Sequence, residues 1–395
     1  MIAALALAAD LRTLTLSDWS EARVRGDTGQ PIAFDLTTAP NATLALATPR
    51  WHLSLAYQPY LGVTDLESTS PGAIYLNTAS LNVGWHNRTV ALGLTETGSY
   101  GIQNTSQLLI QAPAAGMQQT VSSGVPISNI EYAGSITNAT LVYTPSPYWQ
   151  LALRGGFFAN GGVRAVDQQS IAFQHGPTAE VTLTHTVSRE DAVFFRANGV
   201  RTETVPAPCF GLEGITTGDC QPDSYIGTAV AGLRRAFSPT TVGSFGVGAG
   251  VIRARIGPQF LYQTTPFPVV TASYEYTFIR DEHRIIFRAD ANVSPFIDTR
   301  DGAVDDRAQL TGTGTWTLGK LSLTGSFGAA TTLVVVEIEP STILFATSRL
   351  DDHLTKNLMV SFGLSYFWES QEGADVISSA IASLSMTVTT LPWRF

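Results

Sequence analysis

The sequence predicts an all-β protein, a closed antiparallel transmembrane up-and-down β-barrel of about 18 strands, with about 16 strands as the next choice. Three observations predict this fold. Charged residues are sparse, apolar and polar residues alternate with period two along most of the chain, and the connections between these segments alternate between short and long. We expect residues 10–395 to form this barrel as a single domain.

The composition is typical of a protein whose surface faces hydrocarbon. Only 14% of the 395 residues are charged, compared with about 25% in ordinary globular domains, whereas 44% are hydrophobic. At this level a soluble β-sandwich is the competing fold. The net charge of −9 and the lack of any Lys/Arg cluster exclude nucleic-acid binding, because a basic patch is needed to neutralise phosphates.

The chain has no apolar run of the roughly 20 residues that a membrane-spanning helix needs, and the apolar run from Leu333 to Val336 ends at Glu337. A membrane crossing would therefore use strands. Residues 1–9 are apolar and contain the small-residue pattern Ala6-Leu7-Ala8. We predict that they are the remnant of a secretory signal. An ordinary apolar N-terminus is the alternative interpretation.

The connections between the predicted strands alternate between very short and long. Short turns are predicted near Pro49, Asn87, Ser146, Arg189, Pro239, Asp281, Gly319 and Asp352. Long connections are predicted at 25–32, 64–71, 103–126, 161–167, 205–222, 257–262, 299–306 and 371–376. Membrane barrels carry short turns on one side and long loops on the other, whereas sandwiches scatter loop lengths over both ends.

The strands on either side of Asp281 show the two faces most clearly. One face of the first strand is apolar and consists of Val270, Ala272, Tyr274, Tyr276 and Phe278. The other face is polar and consists of Thr271, Ser273, Glu275 and Thr277. Small hydroxyl side chains suit a water-filled interior, whereas a soluble sandwich would expose Lys and Glu on its outer face.

Charged residues on the polar faces are the candidate constriction residues. If Asp281-Glu282 is a two-residue turn, antiparallel register places Glu275 directly opposite Arg288, and Arg284 and Asp290 share their face. One interpretation is a charged constriction that filters solutes. The other is a structural ion pair between neighbouring strands.

A similar pair is predicted around the turn near Arg189, where Glu180 and Arg196 would face each other across the interior side of a hairpin. The same two interpretations apply to this pair, as a filter or as a structural link.

The two cysteines, Cys209 and Cys220, lie in one long predicted connection. In an exported protein this loop would meet an oxidising compartment, so we predict a disulfide between them. Unpaired thiols or a metal site are the alternatives, although no histidine lies nearby in sequence.

Catalytic motifs are lacking. The chain contains no G-x-S-x-G elbow, P-loop or H-E-x-x-H sequence. The glycines at 243, 246, 248 and 250 lie inside a strand pattern, so they do not form a dinucleotide-binding fingerprint. We therefore predict no enzyme activity, no cofactor and no metal site.

The final segment has alternating apolar residues at Leu391, Trp393 and Phe395. It resembles the terminal strand of bacterial outer-membrane β-barrels. This resemblance implies export through the periplasm to the outer membrane and recognition of these three residues by the barrel-assembly machinery. Pro392 departs from the pattern because it removes one backbone donor.

With the polar interior, this resemblance implies a porin-like channel for small polar solutes, surrounded by the lipid bilayer and lipopolysaccharide. Arg253 and Arg255 lie at the end of a strand where they could meet lipopolysaccharide phosphates. Simple exposure above the bilayer, or a bulge that changes the face, is the alternative interpretation. The alternatives are an export barrel that works with periplasmic partners, an outer-membrane hydrolase and a purely structural barrel. The solute and the oligomeric state stay open.

Overall fold

The computed structural model describes residues 11–28, 31–64, 66, 72–104, 129–168, 171–205, 223–256, 261–280, 282–297, 304–334, 341–371 and 376–394. Within them, antiparallel strands account for nearly all of the regular structure, and the single helical turn α1 (Ala165–Gln168) lies in one connection. No helix among the described residues is long and apolar enough to cross a membrane.

The strands, in chain order, are β1 (Leu11–Asp27), β2 (Ala33–Ala47), β3 (Trp51–Thr64), β4 (Gly72–His86), β5 (Val90–Asn104), β6 (Asn129–Ser146), β7 (Trp149–Gly162), β8 (Gln174–Thr186), β9 (Asp191–Thr204), β10 (Ser224–Ser238), β11 (Thr241–Ile256), β12 (Leu261–Arg280), β13 (His283–Ile297), β14 (Val304–Leu318), β15 (Leu321–Val334), β16 (Ser341–His353), β17 (Leu358–Gln371), β18 (Ile377–Thr389) and the two-residue β19 (Trp393–Arg394). Each strand pairs antiparallel with its neighbours in sequence, and β1 pairs with both β2 and β18. The sheet is therefore a closed barrel of 18 strands, as predicted, and β19 continues the last of them.

The connections follow the predicted order of lengths. All eight predicted short turns join strands at one end of the barrel, and the turn predicted near Asp352 lies slightly later, after His353. One long connection, at residues 335–340 between β15 and β16, was not predicted. The apolar run before Pro340 lacks turn residues, so its sequence looks like a continuous strand.

The barrel closes around a local irregularity at Pro392. Pairing between β1 and β18 runs from Ser17 opposite Thr389 to Asp27 opposite Ser379. Beyond it, the Thr390 amide donates to the Leu16 carbonyl at 2.8 Å, and the Leu16 amide donates to Thr390 Oγ1 at 3.0 Å. The register then moves by one residue, so that Trp393 lies opposite Leu14. A bulge thus absorbs the proline that the sequence flagged as a departure.

Unbroken pairing divides the chain into two faces. Because residues opposite each other in antiparallel strands point to the same side, the face of Glu275 can be followed through Arg288, Thr313, Ser326 and Thr347 and on around the barrel. This interior face holds nearly all of the buried residues, whereas the large exposed apolar side chains lie almost entirely on the other, outward face. An apolar outward face and a polar interior are the arrangement of a membrane-spanning barrel.

The glycines of β11 have a packing role. A Cβ atom on Gly248 would lie 1.9 Å from the backbone oxygen of Ala229, whereas a Cβ on Gly227 would come no closer than 3.8 Å to Val251.

We predict that Gly248→Ala destabilises the barrel by about 1–3 kcal/mol, because the backbones of β10 and β11 must separate. Gly227→Ala is the matched control and should unfold like the wild type. Heat-modifiability on semi-native gels measures both, and equal midpoints for the two variants would contradict the prediction.

Candidate permeation pathway

The predicted hairpin around Asp281 has the predicted register. Arg280 pairs with His283, and Glu275 lies directly opposite Arg288 on the interior face. However, the bonds of Arg288 run along its own strand. Its Nε donates to Asp290 Oδ2 at 2.7 Å and its Nη2 donates to Asp290 Oδ1 at 3.0 Å. Arg288 therefore makes its bidentate pair with Asp290 and not with Glu275.

Glu180 and Arg196 both lie on the interior face, but the structure does not place them opposite each other. Glu180 lies opposite Arg154 on one side and Asn198 on the other, and Arg196 lies opposite Thr182 and Val230. The hairpin is centred on Arg189. Direct pairing of Glu180 with Arg196 would require it to be centred one residue earlier, on Ser188. A turn longer than two residues leaves this register undetermined by sequence.

Ion pairs between residues two apart on one strand recur in the protein. Because residues i and i+2 share a face, a short and a long side chain can meet without help from a neighbouring strand. The pairs are Glu21–Arg23, Arg25–Asp27, Arg201–Glu203, Arg288–Asp290 and Arg349–Asp351. All except Arg201–Glu203 face the interior. Alternation of opposite charges is a sequence signal that could have identified these pairs.

The interior face is open to water toward the short turns. The side chain of Arg288 is 60% exposed and that of Arg349 is 44% exposed. Three of the predicted constriction residues, Glu275, Arg284 and Arg196, are also exposed. So is Arg154, which lies opposite Glu180. The predicted constriction candidates therefore line a wide part of the barrel.

Toward the long connections, the interior face becomes crowded. Eleven of its polar side chains there are at most 6% exposed, and each lies within a few residues of the strand end that leads to a long connection. We call this set the polar collar; it consists of Arg25, Asp35, Thr37, Thr64, Asn160, Gln174, Thr202, Thr204, Ser224, Arg307 and Glu369. No local sequence pattern indicates it, because these residues come from nine different strands.

Charge is concentrated in one part of the polar collar. The Arg25 guanidinium bonds to Asp27 at 2.9 Å and lies 3.8 Å from Asp35, with both acids nearly buried. Buried charges of opposite sign stabilise each other more strongly than exposed ones, and removal of one partner leaves the other uncompensated. Arg25, Asp27 and Asp35 therefore form a nearly buried cluster of one positive and two negative side chains.

Apolar side chains adjoin the polar collar on two parts of the interior wall. One group is Ile226, Val230, Ile252, Phe267 and Val269, with Phe194 packed against it. The other is Ala39, Tyr60 and Ile74, with Trp19 and Leu76 beside it. The Trp19 and Tyr60 rings lie 6.2 Å apart, and Arg23 lies 5.9 Å above Trp19. These contacts support the wall at the level where it narrows.

Aromatic rings gather on the outward face near the short turns. Trp51 and Trp85 lie 6.3 Å apart, and Trp149 stacks on His185 at 4.2 Å. Such rings lie at the headgroup level of a bilayer. At the other end Arg253 also faces outward and is exposed.

Several predicted features lie outside the described residues. They are residues 1–9, Cys209, Cys220, the side chain of Arg255 and Phe395. Leu391 and Trp393 are described and are 66% and 51% exposed, respectively.

Similar folds occur among solved structures of bacterial membrane proteins. Two variants of the FrpB iron transporter from Neisseria meningitidis, F3-3 and the F5-1 apoprotein, have TM-scores of 0.53 and 0.55 to this chain at 8% and 7% identity. The alignments cover 97% and 98% of this chain and 82% of each transporter. This protein has the fold of an outer-membrane β-barrel.

Pseudomonas aeruginosa OpdQ also aligns, with a TM-score of 0.48 and 9% identity over 97% of this chain and 99% of OpdQ. No protein-family model matches the chain, and no curated protein matches its sequence. The similarity of this outer-membrane barrel to known proteins therefore lies in its fold.

The contrast between the open and crowded parts of the interior can be tested with engineered cysteines. In a Cys209→Ser/Cys220→Ser background, Thr313→Cys should react with a charged, membrane-impermeant thiosulfonate at least about tenfold faster than Ser224→Cys, because only the former is exposed to water. Leu310→Cys, on the outward face, should be protected by lipid. Equal rates at Thr313 and Ser224 would show that the interior has no crowded zone.

Proposed function

We propose that this protein is an outer-membrane channel through which small polar solutes diffuse. The observation that carries the proposal is a closed wall of 18 strands whose interior face is polar and, toward the short turns, accessible to water. With strands about 4.8 Å apart and tilted by about 40°, the wall has a diameter of about 35 Å. Side chains of about 6 Å from opposite walls leave the centre of such a barrel unfilled.

The same geometry supports a location in the outer membrane. A closed sheet leaves no unpaired backbone edge in hydrocarbon, and the outward face offers an apolar surface with aromatic rings near the short turns. The lipid bilayer and lipopolysaccharide would then surround the barrel, and the barrel-assembly machinery would insert it. No observation on the described residues favours export or hydrolysis.

We place the selectivity of the channel at the polar collar and not at Glu275 and Arg288. A charge acts most strongly on a solute where the passage is narrow and water is scarce, because the effective dielectric constant is low there. Arg25, Asp35, Arg307 and Glu369 meet this condition, whereas Glu275 and Arg288 face bulk water.

The wide part of the interior should add a weak preference for anions. Between β7 and β13 its exposed or half-exposed wall carries five arginines, Arg154, Arg196, Arg234, Arg284 and Arg288. The acids there are three, Glu180, Glu275 and Asp290. This part of the wall therefore has two more positive than negative side chains, although the net charge of the whole protein is −9.

Conductance of single channels in planar bilayers tests the proposal. We expect steady steps from wild type and a reversal potential that indicates anion preference in a salt gradient. Arg307→Gln should shift this potential more than Arg284→Gln, because both remove one interior arginine but only Arg307 is in the polar collar.

Semi-native gels should first show that both variants fold. If the folded wild-type barrel shows no conductance, the proposed channel is wrong. If Arg284→Gln shifts the reversal potential more than Arg307→Gln does, only the proposed position of the selective zone is wrong.

We also propose that Cys209 and Cys220 form a disulfide that closes a loop of the long connection between β9 and β10. Intact mass spectrometry after alkylation without reductant should show no added groups, and two after reduction. Two additions before reduction would contradict the bond.

A further inference from the structure

The outward face of the barrel is not uniform. On β1 to β6 it carries polar side chains at mid-strand, namely Asp18, Ser20, Thr38, Asn77, Glu96, Ser135 and Thr137. We call this region the polar sector. On the described outward faces of β7 to β18, no charged or amide residue lies at mid-strand, and Ser348 is the only serine or threonine there.

Hydrogen bonds hold the two acids of the polar sector on the outward surface. Thr38 Oγ1 donates to Asp18 Oδ1 at 2.9 Å. Thr137 Oγ1 donates to Glu96 Oε2 at 2.7 Å, and Ser135 Oγ lies 3.4 Å from the other carboxylate oxygen. The acids are therefore built into the surface by neighbouring strands.

Lipid is a poor neighbour for this surface. A charged side chain that faces hydrocarbon at the bilayer centre destabilises the folded protein, and hydrocarbon offers no partner for the remaining lone pairs. The Tyr57 hydroxyl donates to Asn77 Oδ1 at 2.8 Å, which leaves the Asn77 amide hydrogens available to a facing molecule. The polar sector thus has both acceptors and donors that lipid tails would leave unsatisfied.

The surface of the polar sector is also uneven. A hollow of about 510 Å³ lies on it, with Ala42, Ala79 and Gly98 among its lining residues and leucines around them. Beside it, Tyr57 and Leu61 protrude and are 50% and 48% exposed. The surface therefore presents both a socket and apolar side chains that could enter one, which allows two copies of it to fit together.

We propose that the polar sector binds a second copy of this chain within the membrane. The bilayer holds every copy at the same depth, so polar groups at mid-strand in one copy meet polar groups at mid-strand in the next. A barrel whose outward belt is apolar, as on β7 to β18, would offer no such partners.

The available area agrees with a stable association of two copies. Six strands spaced about 4.8 Å apart and crossing an apolar band about 25 Å tall present about 700 Å² per copy. Specific interfaces typically bury about 800 Å² per partner. This proposal does not depend on what passes through the lumen.

Two matched tryptophan variants test the proposal. Ala79 lines the hollow, and Ala249 lies on the outward face of β11 away from the polar sector. We expect wild type in mild detergent to have the mass of two or more chains by light scattering. Ala79→Trp should reduce it to the mass of one chain, and Ala249→Trp should leave it unchanged.

Cross-linking in proteoliposomes gives a second readout that does not depend on the folding of Ala79→Trp. In a Cys209→Ser/Cys220→Ser background, Tyr57→Cys should form disulfide-linked dimers with at least about tenfold higher yield than Val247→Cys, which faces outward on β11. A monomeric wild type with no cross-linking at Tyr57 would overturn the proposal. So would equal loss of assembly in both tryptophan variants, or native mass spectrometry that finds a different polypeptide on the polar sector.

Discussion

Closure of the sheet between β1 and β18 is the constraint on which the rest of the structure depends. In hydrocarbon, an unpaired strand edge would leave a row of backbone groups without water, at several kcal/mol for each group. The bulge around Thr390 and Pro392 shows how strictly this constraint acts, because the Thr390 hydroxyl and amide both bond to Leu16 where the ladder is interrupted. Every strand then has two neighbours and two faces.

Two faces in two solvents explain the period of the sequence. A shift of register by one residue would move every apolar side chain from lipid to water, so the two faces fix the register of most strands. The same geometry favours ion pairs between residues i and i+2. The residue opposite an arginine on the neighbouring strand is often Thr or Gly, as for Arg288 and Arg349. An acid two residues away on the same strand is then its nearest charged partner.

The inward and outward faces allow separate functions in one wall. The polar collar and the exposed arginines act toward the lumen, whereas Asp18, Asn77 and Glu96 act toward the membrane. Because adjacent residues on a strand point to opposite sides, an assembly surface and a permeation surface can share the same strands without sharing side chains. Solute passage and association between copies can therefore change independently of each other.

The sequence by itself determined the features that depend on near neighbours: the strands, the short turns, the two faces and the opposition of Glu275 and Arg288 across a two-residue turn. Local sequence is sufficient for these features, because a tight turn sets the register of the two strands and the alternation of apolar and polar residues sets their faces. Only the tertiary structure decided the offset of Glu180 from Arg196, the connection at 335–340, the polar collar and the polar sector. The offset depends on the shape of a longer turn, and the connection lies in an apolar run with no turn signal. The collar includes residues from strands far apart in sequence, such as β1 and β17, which only closure of the barrel brings to one side. The sector lies on consecutive strands, but the face that each of its polar residues takes depends on the register of all six.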